Sequence, residues 1–268
     1  MNRLRIVVAG SSGRMGRTLI EAVIAAPDME LIGALEQPKH PLLGKKVREF
    51  LGLPSDIAVS EDIVSTLKQA DYFIDFTQPQ GTLAHVRECI KAKVKMVIGT
   101  TGFSEGQKKE ILEASRQIAI VNSPNMSVGV NLVFKLLELA AKTLGDNYDV
   151  EIIEAHHRQK VDAPSGTALH MGKILADALD RNLATCAMYG REGIVGPRDS
   201  KTIGFATVRA GDIVGDHTIL FAGTGERIEI THRSNSRATY AQGALRAIRF
   251  LMDKATGLYD MQQVLNLH

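Results

Sequence analysis

The sequence lacks an excess of charge of either sign, paired cysteines and any long apolar run. With 32 Lys and Arg against 30 Asp and Glu, its net charge of +2 excludes a whole-molecule attraction to nucleic acid or an anionic membrane. Cys89 and Cys186 form no C-x-x-C pair, which is typical of reduced cytosolic thiols. The apolar run from Leu4 breaks at Gly10, too early for a signal peptide. We expect a cytoplasmic protein that binds neither nucleic acid nor a membrane.

The rest of the composition is that of a globular protein. Hydrophobic residues make up 44% of the 268 residues and charged residues 23%, enough for one large or two modest cores. In the first half, apolar runs typical of buried strands occur at 4–9, 29–35, 71–76, 95–98 and 118–121. Segments with helical spacing separate them. This alternation predicts an α/β fold, with a Rossmann-like, doubly wound parallel sheet.

The pattern changes after about residue 125. Helices are predicted at 128–144, 166–180 and 238–253, and strands at 203–209, 217–222 and 227–232. We interpret the three strands as an antiparallel meander in a second α+β domain, whose sheet is open, mixed and largely antiparallel. The predicted dinucleotide-binding domain is 1–126 with 239–268, and the predicted substrate-binding and oligomerisation domain is 127–238.

A glycine-rich loop follows the first strand and opens the first helix. Gly10 permits a tight turn, Gly13 lets the backbone approach a pyrophosphate, and Gly16 allows close packing of helix on sheet. Glu36 ends the second strand 20 residues after Gly16, where a carboxylate binds the adenosine ribose. Loops 76–79 and 99–102 leave later strands at the same sheet edge. Together they predict a nicotinamide dinucleotide site; ordinary glycine turns are the alternative.

A second candidate site lies in the segment 151–167. His156, His157 and Lys160 follow a predicted strand, and Ser165 is a plausible N-cap of the next helix. A helix N-terminus beside proton donors suits a substrate that carries carboxylates and needs a proton. A solvated basic turn is the alternative. No H-E-x-x-H or cysteine pair supports a metal site, so we expect none.

These stretches resemble the 4-hydroxy-tetrahydrodipicolinate reductase (dihydrodipicolinate reductase) family of lysine and diaminopimelate synthesis. The resemblance rests on residues 8–16, 73–77, 97–103, 151–168 and 202–217, which occur in order along nearly the whole chain. It implies hydride transfer from NADH or NADPH to C4 of a cyclic dicarboxylate, with loss of water. It also implies a homotetramer joined through the sheets of the substrate domains, with the C-terminal helix packed on the nucleotide domain.

The resemblance assigns residues to each step. It implies proton chemistry for His156 and Lys160, and substrate contacts for His157, Ser165, Gly166 and Thr167. The positions expected to bind the nucleotide are Gly10, Ser11, Ser12, Gly13, Arg14, Met15, Gly16, Glu36, Gln37, Thr77, Gly99, Thr100, Thr101, Ser123, Pro124, Asn125 and Met126.

Two positions depart from the family pattern. Several members carry Arg after the ribose-binding acid, where this chain has Gln37, and Ser123 with Pro124 replaces an expected pair of small residues. Glu36 repels a 2′-phosphate, whereas Arg14 and Lys39 partly neutralise one. We predict that both coenzymes work and that NADH is preferred.

Two other functions are compatible with parts of the sequence. A homoserine or aspartate-semialdehyde dehydrogenase would share the two-domain plan, but the latter needs a catalytic Cys near a His, and no such pairing is visible. A dinucleotide-sensing regulator would carry a dead site, whereas the H-H-x-x-K segment keeps the groups that the reaction needs.

Overall fold

A computed structural model describes residues 3–267 of the chain, and the apolar runs predicted as strands are strands in it. The strands are β1 (Leu4–Ala9), β2 (Met29–Leu35), β3 (Val59–Ser60), β4 (Tyr72–Asp75), β5 (Lys95–Ile98), β6 (Ala119–Asn122), β7 (Asp149–His156), β8 (Ala187–Tyr189), β9 (Ile203–Arg209), β10 (Gly215–Ala222), β11 (Arg227–Ser234) and β12 (Gly257–Tyr259). Of these, β3, β8 and β12 were not predicted. The helices are α1 (Arg14–Ala25), α2 (Val47–Leu51), α3 (Ile63–Leu67), α4 (Pro79–Ala92), α5 (Glu105–Ala114), α6 (Val128–Leu144), α7 (Gly166–Ala178), α8 (Leu183–Cys186), α9 (Ala238–Phe250) and α10 (Met261–Leu265).

The chain divides into two units. One consists of the chain up to Val128 together with the segment from Arg237 onward, and the other is Gly129–Ser236. The first unit is therefore discontinuous in sequence. The binding roles that we expect of the two units stay predictions.

A seven-stranded parallel sheet forms the centre of the first unit. Its order is β12-β6-β5-β4-β1-β2-β3, and every neighbouring pair is parallel. The predicted Rossmann-like fold is thereby confirmed. The strand order reverses between β1 and β4, and in sheets of this kind ligands bind beyond the carboxyl ends of the strands at that point.

Strand β1 shows why this sheet is covered on both faces. Ile6 and Val8 point into one hydrophobic core with α1 and α9, while Val7 and Ala9 point into the other with α4 and α5. All four side chains are essentially fully buried. Burying a Val or Ile side chain contributes about 1.5–3 kcal/mol, so these strands anchor both cores.

The second unit contains a five-stranded mixed sheet in the order β11-β10-β7-β9-β8. Its mixed character was predicted, but the meander was not correct. Strand β7 lies between β9 and β10, pairing parallel with the first and antiparallel with the second. Two of the four strand pairs are parallel. Alternation of apolar residues fixes which face of a strand is buried, and it does not fix the neighbours.

The two faces of the second sheet differ. Val150 and Ile152 of β7 pack in a core with α6 and α7. On the opposite face Ile153 and Val208 are 42% and 45% exposed. The side chains on β7 alternate strictly, so the same strand serves the core and this open face.

Beyond the last predicted helix, the structure contains a further strand and a further helix. Helix α9 ends at Phe250 in a short 3₁₀ turn, after which β12 adds to the edge of the first sheet beside β6. Helix α10 follows and buries Met261. Across residues 3–267, every helix is too short or too polar to cross a membrane.

Candidate active site

The glycine loop joins β1 to α1 through close backbone contacts. A Cβ atom at Gly16 would lie 1.9 Å from the carbonyl oxygen of Gly10, so only glycine lets the helix approach the loop this closely. Gly10 adopts a φ of +65° and lies against Thr77. The N-cap of α1 is Gly13, which offers no side-chain cap to the N–H groups of the first turn. The positive end of α1 is thus open to an anion.

Glu36 lies directly beside this loop. Its Oε1 accepts a hydrogen bond from the Ser12 N–H at 2.8 Å, and its Oε2 accepts one from the Gln37 N–H at 3.1 Å. Burial acts to raise the pKa of Glu36, but these hydrogen bonds outweigh it and lower that pKa below its usual value. The carboxylate is therefore ionised at neutral pH, and each oxygen keeps a lone pair for a ribose hydroxyl.

The other side chains of the loop vary in exposure. Arg14 and Gln37 are exposed, Met15 is half-buried against the core, and the Ser11 side chain is buried. The Ser11 hydroxyl has no hydrogen-bond partner among residues 3–267. A buried polar atom left in this way at the loop is compatible with a polar ligand.

A buried carboxylate, Asp75, organises the next two loops. Its Oδ1 accepts hydrogen bonds from the Thr77 N–H at 2.9 Å and from the Thr77 hydroxyl at 2.6 Å, and its Oδ2 is 2.7 Å from His85 Nδ1. Thr100 is buried 3.4 Å from the same Oδ1. Gly99 lies against the Phe76 ring, where a Cβ would come within 2.2 Å. The structure thus brings Thr77, Gly99 and Thr100 together.

The remaining residues predicted to bind the nucleotide differ in their exposure to solvent. Thr101 and Pro124 are exposed, and Ser123 is buried with its hydroxyl donating to the Asn125 carbonyl at 3.1 Å. The Met126 side chain is 1% exposed in the core, so only its main chain could reach a ligand. The sequence alone did not distinguish these environments.

In the second unit, the reactive segment is centred on His156 at the end of β7. Its Nδ1 lies 2.5 Å from Glu154 Oε2, two residues earlier on the same buried face. Burial lowers the pKa of His156, and hydrogen bonding to Glu154 only partly offsets this. Burial also acts to raise the pKa of Glu154, but bonds from Arg209, His156 and Ser165 lower it overall. Glu154 is thus ionised, and a neutral His156 must donate Nδ1–H to it.

Arg209 and Ser165 complete this cluster. Arg209 donates to both oxygens of Glu154 at 2.8 Å, and the Ser165 N–H donates to Oε1 at 3.0 Å. Ser165 is the N-cap of α7, as predicted, because its hydroxyl accepts a hydrogen bond from the Ala168 N–H at 3.2 Å. Gly166 and Thr167 form the first turn of α7, where the helix carries partial positive charge.

Lys160 and His157 lie in the loop after β7. The Lys160 ammonium is 2.7 Å from the Asp162 carboxylate, and the Lys160 side chain is about one-fifth exposed. The Lys160 N–H donates to the His157 carbonyl at 3.1 Å. The loop is held near the end of β9 by the Ala210 N–H, which donates to the His156 carbonyl at 2.9 Å.

His217, on β10, also lies at this cluster. Its Nε2 is 3.0 Å from the Ser165 hydroxyl, and its ring packs edge-on to the His156 ring at 5.1 Å. Burial, followed by repulsion from His156 when that ring is protonated, lowers the pKa of His217 to about 4. His217 is therefore neutral at neutral pH.

Three residues of the cluster were not assigned a role from the sequence: Glu154, Arg209 and His217. Glu154 could have been found, since it alternates with His156 on one face of a predicted strand. Arg209 and His217 come from other strands, and only the register of the sheet brings them here. Among residues 3–267, no three His, Cys, Asp or Glu side chains are grouped to hold a metal ion.

The fold and the two clusters define a class of protein. A Rossmann unit with a glycine loop and a following acid, joined to a unit bearing proton-active side chains at a helix N-terminus, is the organisation of a nucleotide-dependent oxidoreductase.

Comparisons with known proteins identify the family. A family model described as dihydrodipicolinate reductase, N-terminus, matches residues 4–126, and one described as dihydrodipicolinate reductase, C-terminus, matches residues 129–265. The chain therefore belongs to the dihydrodipicolinate reductase family, and the resemblance seen in the sequence is confirmed.

Individual relatives agree over the full length. A 4-hydroxy-tetrahydrodipicolinate reductase of Nitrosospira multiformis is 60% identical over 267 residues, covering 100% of this chain and 99% of the relative. One of Burkholderia ambifaria is 59% identical, covering 98% and 100%. A solved structure of dipicolinate-bound dihydrodipicolinate reductase from Paenisporosarcina sp. TG-14 is similar with a TM-score of 0.78 and 26% identity, covering 97% of this chain and 98% of that one.

Proposed function

We propose that the protein reduces 4-hydroxy-tetrahydrodipicolinate to tetrahydrodipicolinate with loss of water, using NADH or NADPH, in lysine and diaminopimelate biosynthesis. The observation that carries this proposal is the cluster after β7. There Lys160 and His156 belong to the same segment as Ser165, which caps the N-terminus of α7. The segment therefore combines proton-active side chains with a helix N-terminus that can bind an anion. The proposed substrate matches both parts of the segment, because it carries carboxylates that can be bound and it accepts a proton during the reaction.

The residues of the first unit fit a nicotinamide dinucleotide. The approach of Gly16 to Gly10 forms the tight loop that a pyrophosphate requires, and Glu36 supplies an ionised acceptor beside it. When bound, the coenzyme supplies a hydride. The residues proposed to hold it are the glycine loop 10–16, Glu36, Gln37, Thr77, the loop 99–101 and the segment 123–126. Asp75 holds two of these loops in place through its hydrogen bonds with Thr77 and Thr100.

The residues of the second unit are proposed to handle the dicarboxylate and the proton. Ser165, Gly166 and Thr167 bind one carboxylate at the start of α7, and His157 contacts the substrate from the loop. Lys160 donates the proton, with Asp162 holding its ammonium group until the substrate arrives. His156 assists proton transfer or orients the site through Nε2.

The test is a coupled assay that generates the substrate in place and follows loss of absorbance at the nicotinamide band. Removing a general acid typically costs 10²–10⁴ in rate, so Lys160→Met should lower kcat by about that factor. Lys173→Met is the matched control. Lys173 is an exposed lysine of α7, and it also pairs with an aspartate close in sequence, Asp177, four residues later. Both variants should bind NADH like the wild type.

Two results would contradict the proposal. The first is a wild-type protein that does not oxidise NADH with the generated substrate. The second is a Lys160→Met variant with wild-type kcat, which would remove Lys160 from the proton transfer. Binding of dipicolinate, measured by calorimetry, checks the carboxylate site separately: Ser165→Ala and His157→Ala should weaken it, whereas Lys173→Met should not.

We further propose that NADH is preferred over NADPH by about tenfold or less, equivalent to about 1.4 kcal/mol. Glu36 repels a 2′-phosphate, and Gln37 offers that phosphate no positive charge. The exposure of Gln37 and Arg14 limits the discrimination, since water and salt screen the charges. The homotetramer and the cytoplasmic location stay predictions.

A further inference from the structure

The buried carboxylate of Glu154 has more partners than its burial requires. It is 1% exposed and accepts four hydrogen bonds, two on each oxygen. Oε2 receives His156 Nδ1 and Arg209 Nη1, and Oε1 receives Arg209 Nη2 and the Ser165 N–H. All the acceptor capacity of the carboxylate is thereby used.

A purely structural ion pair would need only part of this arrangement. The bidentate contact with Arg209 already compensates much of the cost of burying the charge. The other two partners are His156 and the N-cap residue of α7, and both belong to the site of the proposed function. Three elements, β7, β9 and the start of α7, therefore meet at this one side chain.

We propose that Glu154 is a positioning residue, which holds His156 in its Nδ1–H tautomer while fixing Arg209 and the start of α7 around the dicarboxylate site. The substrate part of this inference rests on the proposed function; the tautomer part does not. With Nδ1–H donated to Glu154, Nε2 is the ring atom that exchanges a proton or binds a ligand. Gly215 leaves room there, since a Cβ at that position would lie 3.0 Å from Nε2.

The charges around His156 give the expected sign of the test. Glu154 faces it from β7, Arg209 from β9 and His217 from β10, and Lys160 faces it from the loop after β7. Glu154 is the acid in this group, whereas Arg209 and Lys160 are positive. Replacing Glu154 by Gln removes the carboxylate beside His156 and leaves Arg209 without that partner, whereas Lys160 keeps Asp162. Protonation of His156 therefore becomes harder. An opposite charge at hydrogen-bond distance shifts a pKa by about 1–3 units, and the His156 titration should fall by that amount.

The experiment is ¹⁵N NMR of histidine-labelled full-length protein without ligand, with His156→Gln used to assign the signal. In the wild type, the neutral His156 ring should be the Nδ1–H tautomer. In Glu154→Gln, its titration midpoint should fall by about one pH unit or more, and Glu154→Asp should restore part of this shift. In the coupled assay, Glu154→Gln should lower kcat at least about tenfold with a smaller effect on KM, a part of what acid–base groups contribute.

Glu151→Gln is the matched control. Glu151 lies three residues earlier on β7, on the opposite face of the sheet, and its carboxylate also binds arginines, Arg191 and Arg198. The Glu151→Gln variant should leave the titration midpoint of His156 unchanged. A wild-type ring in the Nε2–H tautomer overturns the proposal without any variant, and so does a Glu154→Gln protein that matches Glu151→Gln in both titration and kcat. A wild type that lacks turnover would instead overturn the proposed function, and the NMR result would still decide the part played by Glu154.

Discussion

Replacing Gly16 by Ala tests the packing that makes the nucleotide loop. The new Cβ would lie 1.9 Å from the Gly10 carbonyl oxygen and 2.9 Å from Ser11 Cα, whereas real Cβ contacts are not closer than 3.0 Å. The loop and α1 would have to separate by about 1 Å, and both contacts are with backbone, which cannot rotate away. Overpacking of this kind costs about 1–3 kcal/mol, and we expect the upper end of that range.

Gly13→Ala is the matched variant for this prediction. Gly13 has a φ of −67°, which alanine adopts without strain, and its Cβ would lie 3.3 Å from the Gly10 carbonyl oxygen. The unfolding free energy should therefore change by about 1 kcal/mol or less. The methyl group would nevertheless stand at the N-terminus of α1, where the pyrophosphate is proposed to approach the backbone. We expect weaker NADH binding with nearly unchanged stability.

Urea unfolding followed by far-UV circular dichroism measures the stabilities, since the chain has no tryptophan to report by fluorescence. At an m value of about 2 kcal/mol/M, a 3 kcal/mol loss lowers the midpoint by about 1.5 M. Calorimetric titration with NADH measures binding. Equal stability of Gly16→Ala and the wild type would refute the packing argument. Unchanged NADH affinity of Gly13→Ala would refute the proposed approach of the phosphates.

Three further predictions concern the coenzyme, the assembly and acid stability. Gln37→Arg should raise kcat/KM for NADPH and leave that for NADH nearly unchanged; a clear wild-type preference for NADPH in kinetics at fixed ionic strength would contradict the reasoning. Light scattering should show a tetramer, because exposed apolar residues such as Ile153 line an open sheet face, and a stable monomer at micromolar concentration would exclude it. His217 has a folded-state pKa of about 4 against a usual 6.5, so protonation favours the unfolded chain, and about 3 kcal/mol of stability should be lost as pH falls from about 6.5 to 4. In His217→Gln, the urea midpoint should decrease less steeply with falling pH over that interval. A decrease as steep as in the wild type would show that other groups cause the loss.

Local patterns in the sequence were sufficient for much of the fold. The glycine loop, the strand–helix alternation and the Ser165 N-cap all follow from contacts between residues close in sequence, and the structure has them where they were expected. Such features depend on backbone conformation and on helix or strand periodicity, which a single sequence records directly.

What the sequence did not reveal depends on pairing between distant segments. The position of β7 between β9 and β10 is set by hydrogen bonding between strands about 50 residues apart or more, and no local pattern encodes it. The same register places Arg209 beside His156 and His217 beside Glu154. A charged residue such as Glu154 on a buried strand face was the one available signal, because an ionised group in that position needs partners from elsewhere.

The discontinuity of the first unit has a consequence for synthesis of the chain. Helix α9 and strand β12 are synthesised after the second unit, yet Ala244, Leu245 and Ile248 of α9 are buried in the core beside α1. Until those residues emerge, one face of the parallel sheet lacks the packing of α9, and its β6 edge is unpaired. The segment Gly129–Ser236 is complete earlier. Because domains fold as units during translation, the first unit can be completed only after α9 and β12 have emerged, while the middle of the chain can already be folded.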